Sequence, residues 1–525
     1  MGYGVRIAAT ALKAQVAVLL VALGLTTGLS DQVRAEQPPG KDLIDQRVVP
    51  KQRDFKLKDA EGGPERAGKI AVYRVEKFKG GSLLLTPDGG PGGWAAAGQV
   101  VPVEKAVEFF SNAISKSPRD PHNYAMRAMV LLLERGDPAH ALADCESAIR
   151  LDPKFAFARG IRGAVRAATQ DLDNAIADFS EVIRLTPREP DAYRDRGVAR
   201  MSNQDFDGSI ADFNEAIRLD PQDSATFVFR ASAWLSRKEN DKAMVDVDEA
   251  IRLDPKNADA YLLRASFRGQ KGEFDQAIAD FTELIKLSPQ VPMAYEARGT
   301  GWRHKKDYDH AIADFTQAIR LDPQNAGAYI ARGLTWRDQR QDDKAIADLD
   351  QAIRLDPQNP DAYGVRGDAW ADKKDFGRAI DDFTRVLNLD PRNAWAYASR
   401  GLAEAERRQY DKAVADLDKA LQLEPNNPDA LNGRAWFRAT CPIEKYRDGA
   451  QAIAAATKAC DVTGHKEPGL LDTLAAAYAE SGDFTSALKW QAKAIELETD
   501  AKEKAEYGER LKLYRDKKPY RDAMP

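Results

Sequence analysis

A proline that returns every 34 residues constrains this chain more than any other feature of its sequence. The first interval is 35 residues and the next eight are 34, and the prolines are Pro118, Pro153, Pro187, Pro221, Pro255, Pro289, Pro323, Pro357, Pro391 and Pro425. A fixed period of this length is typical of repeat architectures, in which each unit buries its apolar surface against its neighbours. The sequence therefore predicts a solenoid of stacked repeats.

Each interval carries the same helical pattern. Alanine stands 12 residues before nine of the ten prolines, a core residue such as Phe315 stands eight before, and Ala, Val or Leu stands five before. These offsets put three residues on one face of a helix. Glycine or alanine stands ten residues after each proline, which indicates that another helix crosses there too closely for a larger side chain. Each unit is therefore predicted to be two helices, with the proline ending the second helix and able to open the next.

The period and the small–aromatic–small–proline pattern resemble the tetratricopeptide repeat (TPR). The resemblance covers residues 121–498, in about eleven repeats, and is clearest in "LLDTLAAAYAESGDFTSALKWQAKAIEL" (residues 470–497). It implies a mostly α fold, a solenoid of helical hairpins wound as a right-handed superhelix. Residues 104–118 are predicted to be a half-repeat helix at the N-terminal end, and residues 499–525 a capping helix and tail. Repeat 10 departs from the pattern, with a longer hairpin loop and a longer exit.

Residues 36–103 differ in composition from the repeats. Short runs of β-forming residues alternate with glycine-rich turns, which predicts a small β-barrel. The segments "YRVEKFKGGSLLL", "GGW" and "QVVP" are similar to bacterial SH3-like domains. Within this region "GPERAGKI" (residues 63–70) nearly matches a phosphate-binding loop, but Ile70 has no hydroxyl and a strand pattern, not a helix, follows. A turn between strands is the preferred interpretation.

Residues 1–35 have the pattern of a secretory signal peptide. Arg6 and Lys13 accompany an unbroken apolar run from Val16 to Leu25, and "VRA" ends at Ala35. An uncleaved membrane anchor is the alternative, although the uncharged stretch 14–30 has only 17 residues, at the lower limit for a spanning helix. We therefore expect cleavage after Ala35 and a mature chain that is exported, to the periplasm, cell envelope or extracellular space, and is not an integral membrane protein.

Charged residues recur as regularly as the prolines. Arginine stands nine residues after each of the ten prolines, and aspartate stands nine before each of the last nine. A catalytic residue is needed once, so this recurrence indicates a structural role. In an antiparallel hairpin the two positions lie at similar height, and each Arg can make a bidentate contact with an Asp of its own or a neighbouring repeat. We expect this Arg–Asp ladder, exemplified by Asp314, Arg332, Asp348 and Arg366, to fix the register of stacked helices.

No pattern in the sequence indicates catalysis, a cofactor or a metal. No G-x-S-x-G or C-x-x-C motif is present, and no closed metal-ligand set is formed by the histidines, which are His122, His140, His304, His310 and His465. Three cysteines argue against a disulfide framework, and Cys145 replaces a core residue. The net charge of −5 gives no argument for nucleic acid. We therefore expect a chain that is not an enzyme.

The resemblance implies that the first helices line a concave groove. Several positions of these helices vary from repeat to repeat, as expected of a recognition surface, although a merely solvated face would vary as well. The candidate contacts are Phe157, Arg194, Val228, Glu296, Arg303, Ile330, Arg337, Asp368 and Trp395, and Trp436 stands at a further groove position. The sequence favours an exported scaffold that binds an unidentified protein or peptide. The alternative is an envelope-associated module whose SH3-like domain binds cell-wall glycan or peptide, with the repeats as a spacer.

Overall fold

The computed structural model describes residues 46–51, 56–59, 65–67, 73–79, 82–87 and 93–522. The predicted signal peptide lies outside these residues. The chain separates into two compact halves, divided between Gln270 and Lys271, which we call the N-terminal half and the C-terminal half. Of the helices in the described residues, none combines the length and apolarity needed to cross a bilayer.

Short strands form one antiparallel sheet at the start of the N-terminal half. They are β1 (Arg47–Pro50), β2 (Lys56–Asp59), β3 (Glu65–Ala67), β4 (Tyr73–Lys79), β5 (Ser82–Pro87), β6 (Gly93–Ala96) and β7 (Val100–Pro102). Their order in the sheet is β3-β2-β6-β5-β4-β1-β7. Val48, Tyr73, Val75 and Leu85 are buried together in one apolar cluster. A small antiparallel sheet therefore precedes the helices, and the SH3-like barrel stays a prediction.

The sheet packs directly onto the first helix. Helix α1 (Val103–Lys116) begins immediately after β7. Val49 and Val101 of the sheet belong to the same buried cluster as Val103 and Phe110 of α1. Burial of these side chains, at about 25 cal/mol for each Å² of apolar surface, fixes the sheet to the helical array.

The rest of the described chain is helical. The helices are α2 (Pro121–Arg135), α3 (Pro138–Leu151), α4 (Ala156–Ala168), α5 (Leu172–Leu185), α6 (Pro190–Ser202), α7 (Phe206–Leu219), α8 (Ser224–Ser236), α9 (Asn240–Leu253), α10 (Ala258–Lys271), α11 (Phe274–Leu287), α12 (Pro292–His304), α13 (Tyr308–Leu321), α14 (Ala326–Asp338), α15 (Asp342–Leu355), α16 (Pro360–Asp372), α17 (Phe376–Leu389), α18 (Ala394–Glu406), α19 (Tyr410–Leu423), α20 (Pro428–Thr440), α21 (Gly449–Thr463), α22 (Pro468–Glu480), α23 (Phe484–Leu497) and α24 (Ala501–Arg515). Pairs of helices from α2–α3 to α22–α23 make repeats 1 to 11. The even-numbered helix of each pair is its first helix.

The repeated proline ends a helix but does not begin one. Each of the ten lies two residues after a second helix and three residues before a first helix, within the turn. Its missing N–H and fixed φ prevent the second helix from continuing. The expectation that it can also open the next helix is wrong. A different proline occupies the first turn of several helices, where no backbone donor is needed, and these residues are Pro121, Pro138, Pro190, Pro292, Pro360, Pro428 and Pro468.

The small residue ten positions after the proline marks the close crossing within a hairpin. A Cβ built at Gly197 would lie 2.7 Å from Cε1 of Phe213, and one at Gly367 would lie 2.8 Å from Cε1 of Phe383. Glycine stands opposite Phe or Leu in the pairs Gly163–Phe179, Gly197–Phe213, Gly299–Phe315, Gly333–Leu349, Gly367–Phe383 and Gly401–Leu417. Alanine stands at this position in repeats 1 and 4, where the corresponding core residues are the smaller Cys145 and Val247, in repeat 10, and also in repeat 5, where Ala265 corresponds to the large Phe281. A small residue is thus required at the crossing, and in six repeats it is a glycine opposite Phe or Leu.

Repeat 10 has the longer loop that its sequence predicts. Helix α20 ends at Thr440 and α21 begins only at Gly449, with a 3-10 turn over Glu444–Tyr446 between them. The extra residues shift the core pattern of the second helix, so that Ala452, Ala456 and Ala459 take the buried positions. Ala455 stands where repeats 1 to 9 carry the ladder aspartate.

First helices form the inner face of each half. Within each half, the first helices of neighbouring repeats pack against one another more closely than the second helices do, as in the series α12, α14, α16, α18, α20 and α22. Each half therefore curves with its first helices inside. We call the surface formed by the first helices the inner face.

Candidate functional site

The ladder is a set of bidentate ion pairs within single repeats. Arg332 donates from Nε to Oδ2 of Asp348 and from Nη2 to Oδ1, both at 2.7 Å. The same geometry occurs in Arg127–Asp144, Arg162–Asp178, Arg196–Asp212, Arg230–Asp246, Arg298–Asp314, Arg366–Asp382 and Arg400–Asp416. Asp314 and Arg332 therefore belong to separate pairs. Of the two arrangements that the sequence left open, these residues adopt the one inside a repeat.

A third contact of the same arginines connects consecutive repeats. Nη1 of Arg332 donates to Oγ1 of Thr316, on the second helix of the preceding repeat, at 3.0 Å. Equivalent contacts are Arg127–Ser111, Arg196–Ser180, Arg230–Asn214, Arg298–Thr282, Arg366–Asp350 and Arg400–Thr384. Sequence reasoning missed this partner. The sequence does carry a signal for this partner, because a polar residue stands seven positions before every repeated proline.

Arg332 shows how a ladder arginine holds the array together. The guanidinium of Arg332 also lies over the ring of Tyr329, 5.8 Å from its centroid. The hydrogen bond with Asp348 raises the pKa of Arg332 further above its already high value. A group with this many partners joins three helices and is held in place by all of them. The ladder is framework and supplies no reactive side chain.

Charged residues that stand in only a few neighbouring repeats form a network on the inner face of the C-terminal half. Arg303 donates from Nε to Asp338 at 2.7 Å, which connects α12 to α14. Arg337 donates from Nε to Asp372 at 2.6 Å and from Nη1 to Asp368 at 2.8 Å, which connects α14 to α16. We call these five residues the inner-face network. The Arg303 and Arg337 side chains keep 30% of their surface exposed, so the network remains accessible to a partner.

Two inner-face carboxyl groups titrate close to neutral pH. Burial raises the pKa of Asp368 to about 6, although Arg337 opposes the rise. Burial also raises the pKa of Glu296 to about 7, although the side-chain amide of Asn325 donates to Glu296 at 2.6 Å. The charge of this face therefore becomes more negative as pH rises through this range.

The inner face of the N-terminal half carries a second charged cluster. Arg194 lies 2.9 Å from Asp191, 3.3 Å from Asp195 and 3.4 Å from Asp223. Burial raises the pKa of Asp195, an effect that Arg194 opposes. One arginine is thus shared by three carboxylates of α6 and of the turn before α8, which leaves local negative charge in excess.

The remaining predicted contact residues pack rather than face solvent. Val228 and Ile330 are only 7% and 2% exposed and belong to apolar clusters. This burial removes both side chains from the candidate contact set. Trp395 is half-buried, with its ring 5.7 Å from that of Phe383. Phe157 is half-buried too and packs against the first apolar cluster of the array.

The cysteines and two of the histidines, residue types that are common in catalytic and metal sites, are buried or pack against neighbouring side chains. In the part of the chain that the structure describes, no three His, Cys, Asp or Glu side chains come together as a metal-binding group. The three cysteines are free and buried, and burial raises the pKa of the Cys145 thiol to about 12. His310 stacks on Trp302 and contacts Asp307, and His304 stacks on Phe274.

Comparison with known proteins identifies the repeat. A family model described as "Tetratricopeptide repeat" matches residues 126–190, 163–224, 194–258, 230–292, 263–326 and 330–397, and a second model with the same description matches residues 394–427. The first model alone covers more than half of the chain. No curated protein matches the chain.

Solved structures with similar folds include several repeat proteins. The MamA protein is 26% identical, with 32% of this chain and 92% of that one covered and a TM-score of 0.30. YrrB, "a TPR protein with an unusual peptide-binding site", is 24% identical, with 36% and 97% covered and a TM-score of 0.31. The Cut9–Hcn1 hetero-tetramer of the APC/C is 15% identical, with 79% and 86% covered and a TM-score of 0.43. The stacked helical hairpins and the extent of the model matches show that this chain belongs to the tetratricopeptide repeat family.

Proposed function

We propose that this chain is an exported, non-enzymatic scaffold that binds a protein or peptide on the inner face of its repeats. Membership of the TPR family supports a protein–protein interaction role. The observation that carries the proposal is the inner-face network of Arg303, Arg337, Asp338, Asp368 and Asp372, which breaks the symmetry of the repeats.

The network differs from the ladder in how its charges can be used. A ladder arginine has its partners on helices that pack together permanently. The network joins side chains at the exposed edge of adjacent first helices, where a partner can replace one internal contact with an intermolecular one. Exchange of this kind provides specificity and a salt-dependent association rate more than it provides affinity.

Export and the nature of the sheet belong to the same proposal. The charged and apolar pattern of residues 1–35 supports secretion. The sheet from β1 to β7 is proposed to be an SH3-like domain, on the basis of the motifs between Tyr73 and Pro102. Its role is to hold the N-terminal end of the array, because β1 and β7 share a buried cluster with α1.

Crosslinking followed by pulldown from the exported fraction tests the proposal. The test variant is the double substitution Arg303→Glu with Arg337→Glu. The control is Lys286→Glu with Arg354→Glu, which reverses two exposed charges on second helices of the same half. Wild type and control are expected to capture the same protein, whereas the test variant loses about tenfold or more of the yield.

Two results would contradict this proposal. Equal capture by all three proteins would show that the inner-face network does not contact the partner. Recovery of cell-wall material instead of a protein would favour the envelope-module alternative, in which the repeats act as a spacer.

A further inference from the structure

The last described residues of the chain lie on the inner face of repeats 10 and 11. The backbone N–H of Asp522 donates to the carbonyl of Thr440 at 3.1 Å. The Asp522 carboxylate accepts from Oγ1 of Thr440 at 2.8 Å and from Nε1 of Trp436 at 3.2 Å. Trp436 stands eleven residues after Pro425, at a predicted groove position. The segment therefore occupies the surface on which the resemblance places a ligand.

Arg521 extends this contact across two first helices. Its Nη1 donates to the carbonyl of Ala439 on α20 at 3.3 Å. Its Nη2 forms an ion pair of 2.5 Å with Glu480 at the end of α22, and the Glu480 side chain is only 12% exposed. The other oxygen of Glu480 accepts from Nε of Arg447 at 3.0 Å, so Arg521 is the second cation on this carboxylate and Glu480 keeps one partner when Arg521 leaves.

Tyr520 completes the contact with an aromatic stack. Its ring centroid lies 5.7 Å from that of Trp436. The guanidinium of Arg510, from α24, lies 5.3 Å from the Tyr520 ring and 5.4 Å from the Trp436 ring. Arg510 is itself held by Asp472 at 2.8 Å. The Tyr520 ring thus packs against both the Trp436 ring and the Arg510 guanidinium, which also contact each other. Such a pair of ring and cation favours aromatic ligands.

One neighbour of the segment is unfavourable. Burial raises the pKa of Glu406, at the end of α18, and the negative charge of Asp522 raises it further. Asp522 is therefore accommodated beside a like charge, whereas the rest of its surroundings are complementary. A segment held by a few side chains, with one repulsive neighbour, can be displaced more readily than an element of the core.

We propose that Trp436, Thr440, Glu480 and Arg510 form a peptide-binding site, and that Tyr520–Asp522 is its internal occupant in the free protein. The external ligand is an extended segment of a partner protein with an aromatic, a basic and an acidic side chain in consecutive positions. This inference rests on the proposed function, that the inner face binds a protein or peptide, and adds to it a second binding site in repeats 10 and 11. Backbone pairing gives such a ligand affinity, and the three side chains give it specificity.

The internal segment regulates access to the site. A tethered segment reaches its own site at an effective concentration on the order of 1 mM. A free peptide with an intrinsic Kd of about 10 µM would then bind with its affinity reduced about 100-fold. The free protein is thus closed to weak ligands and opens to a partner that competes through additional contacts.

A release variant of the full chain, Tyr520→Ala with Asp522→Ala, tests the proposal. The probe is the labelled, amidated peptide DKKPYRD, which has the sequence of residues 516–522, and binding is followed by fluorescence anisotropy. The release variant is expected to bind the probe at least about tenfold more tightly than wild type. Adding Trp436→Ala to the release variant should abolish this gain. Adding Trp370→Ala should not, because Trp370 stacks with Arg378 in repeat 8.

Several results would overturn the inference. One is equal affinity of wild type and release variant for the probe, and another is no binding by a release variant whose circular dichroism matches wild type. A wild-type dimer that the release variant fails to form would assign the site to the segment of a second copy. These outcomes are independent of the proposed function, because capture through Arg303 and Arg337 is measured separately.

Discussion

Repeats 7 and 10 place the same arginine in different surroundings. In repeat 7, Arg332 meets Asp348 on its own second helix, and this hydrogen bond raises the pKa of Arg332. In repeat 10, Arg434 faces a helix that carries Ala455 in place of the aspartate, and its charged partner is Asp418 of the preceding repeat. Burial, and secondarily Arg438, lowers the pKa of Arg434 to about 10.

The difference shows that the carboxylate, not the arginine, determines whether the ladder stabilises a repeat. A buried guanidinium with a bidentate partner is compensated, and one without it bears the cost of desolvation. Repeat 11 avoids the cost of burying an unpaired guanidinium, because it carries neither the ladder arginine nor the ladder aspartate. Leu474 and Trp490 stand in the positions of Arg and Asp, and both pack in the apolar cluster of that end. The regular repeats therefore carry a charge pair inside each hairpin, whereas repeat 11 carries apolar residues at those two positions and pairs Asp472 with Arg510 of α24 instead.

The largest effect is expected for stability, where removal of Arg332 should cost more than removal of Arg434. Arg332→Ala leaves Asp348 buried without its guanidinium and should lower the free energy of unfolding by about 3 kcal/mol. Arg434→Ala leaves only Asp418, whose side chain is 53% exposed, and should cost about 1 kcal/mol or less. Urea denaturation followed by circular dichroism measures both losses in the full chain. Equal losses would refute the distinction between the two repeats.

A smaller effect is expected at the close crossing of the hairpins. Gly367→Ala would place a Cβ 2.8 Å from Cε1 of Phe383, and this overpacking should cost about 1 to 3 kcal/mol. Repeat 10 carries Ala435 at this position, opposite the smaller Ala456. The control is Gly160→Ala on α4, where nothing lies within 4 Å and helix propensity should add up to about 1 kcal/mol of stability. Thermal unfolding measures both variants, and the melting temperature should fall for Gly367→Ala and rise for Gly160→Ala. Stabilisation by Gly367→Ala would rule out a close crossing there.

The smallest effect is expected when the carboxylate that repeat 10 lacks is introduced by substitution. Ala455→Asp places a carboxylate opposite Arg434 and should raise the free energy of unfolding by about 1 kcal/mol. Ala455→Asn is the matched control, since it has the same shape without the charge. Denaturation at low and high ionic strength measures the gain. If Asn stabilises as much as Asp, the position does not restore the ion pair.

The repeating part of the fold was predictable because each position is tested many times within one sequence. The period located the helix ends, and the recurrent small residue predicted a close crossing, which the structure shows between Gly367 and Phe383. The polar residue seven positions before each proline was equally regular and could have identified the contact of Arg332 with Thr316.

Residues that do not repeat were less predictable. The position seven residues after the proline lies at the boundary between core and surface, so the side chain itself determines its exposure. Glu296 at this offset reaches Asn325, whereas Ile330 turns into the core beside Ile346. The return of Tyr520–Asp522 to α20 has no periodic signal, because it depends on a contact between residues more than 80 positions apart.

The central claim is that repeated charges build the array and unrepeated charges bind the partner. Partner capture and the free energy of unfolding, measured side by side for Arg332→Ala and Arg337→Ala, test it most directly. Arg332→Ala is expected to lose about 3 kcal/mol of stability and to retain capture wherever it is folded. Arg337→Ala is expected to lose less than about 1 kcal/mol and most of its capture. Loss of capture in proportion to stability in both variants would contradict the account.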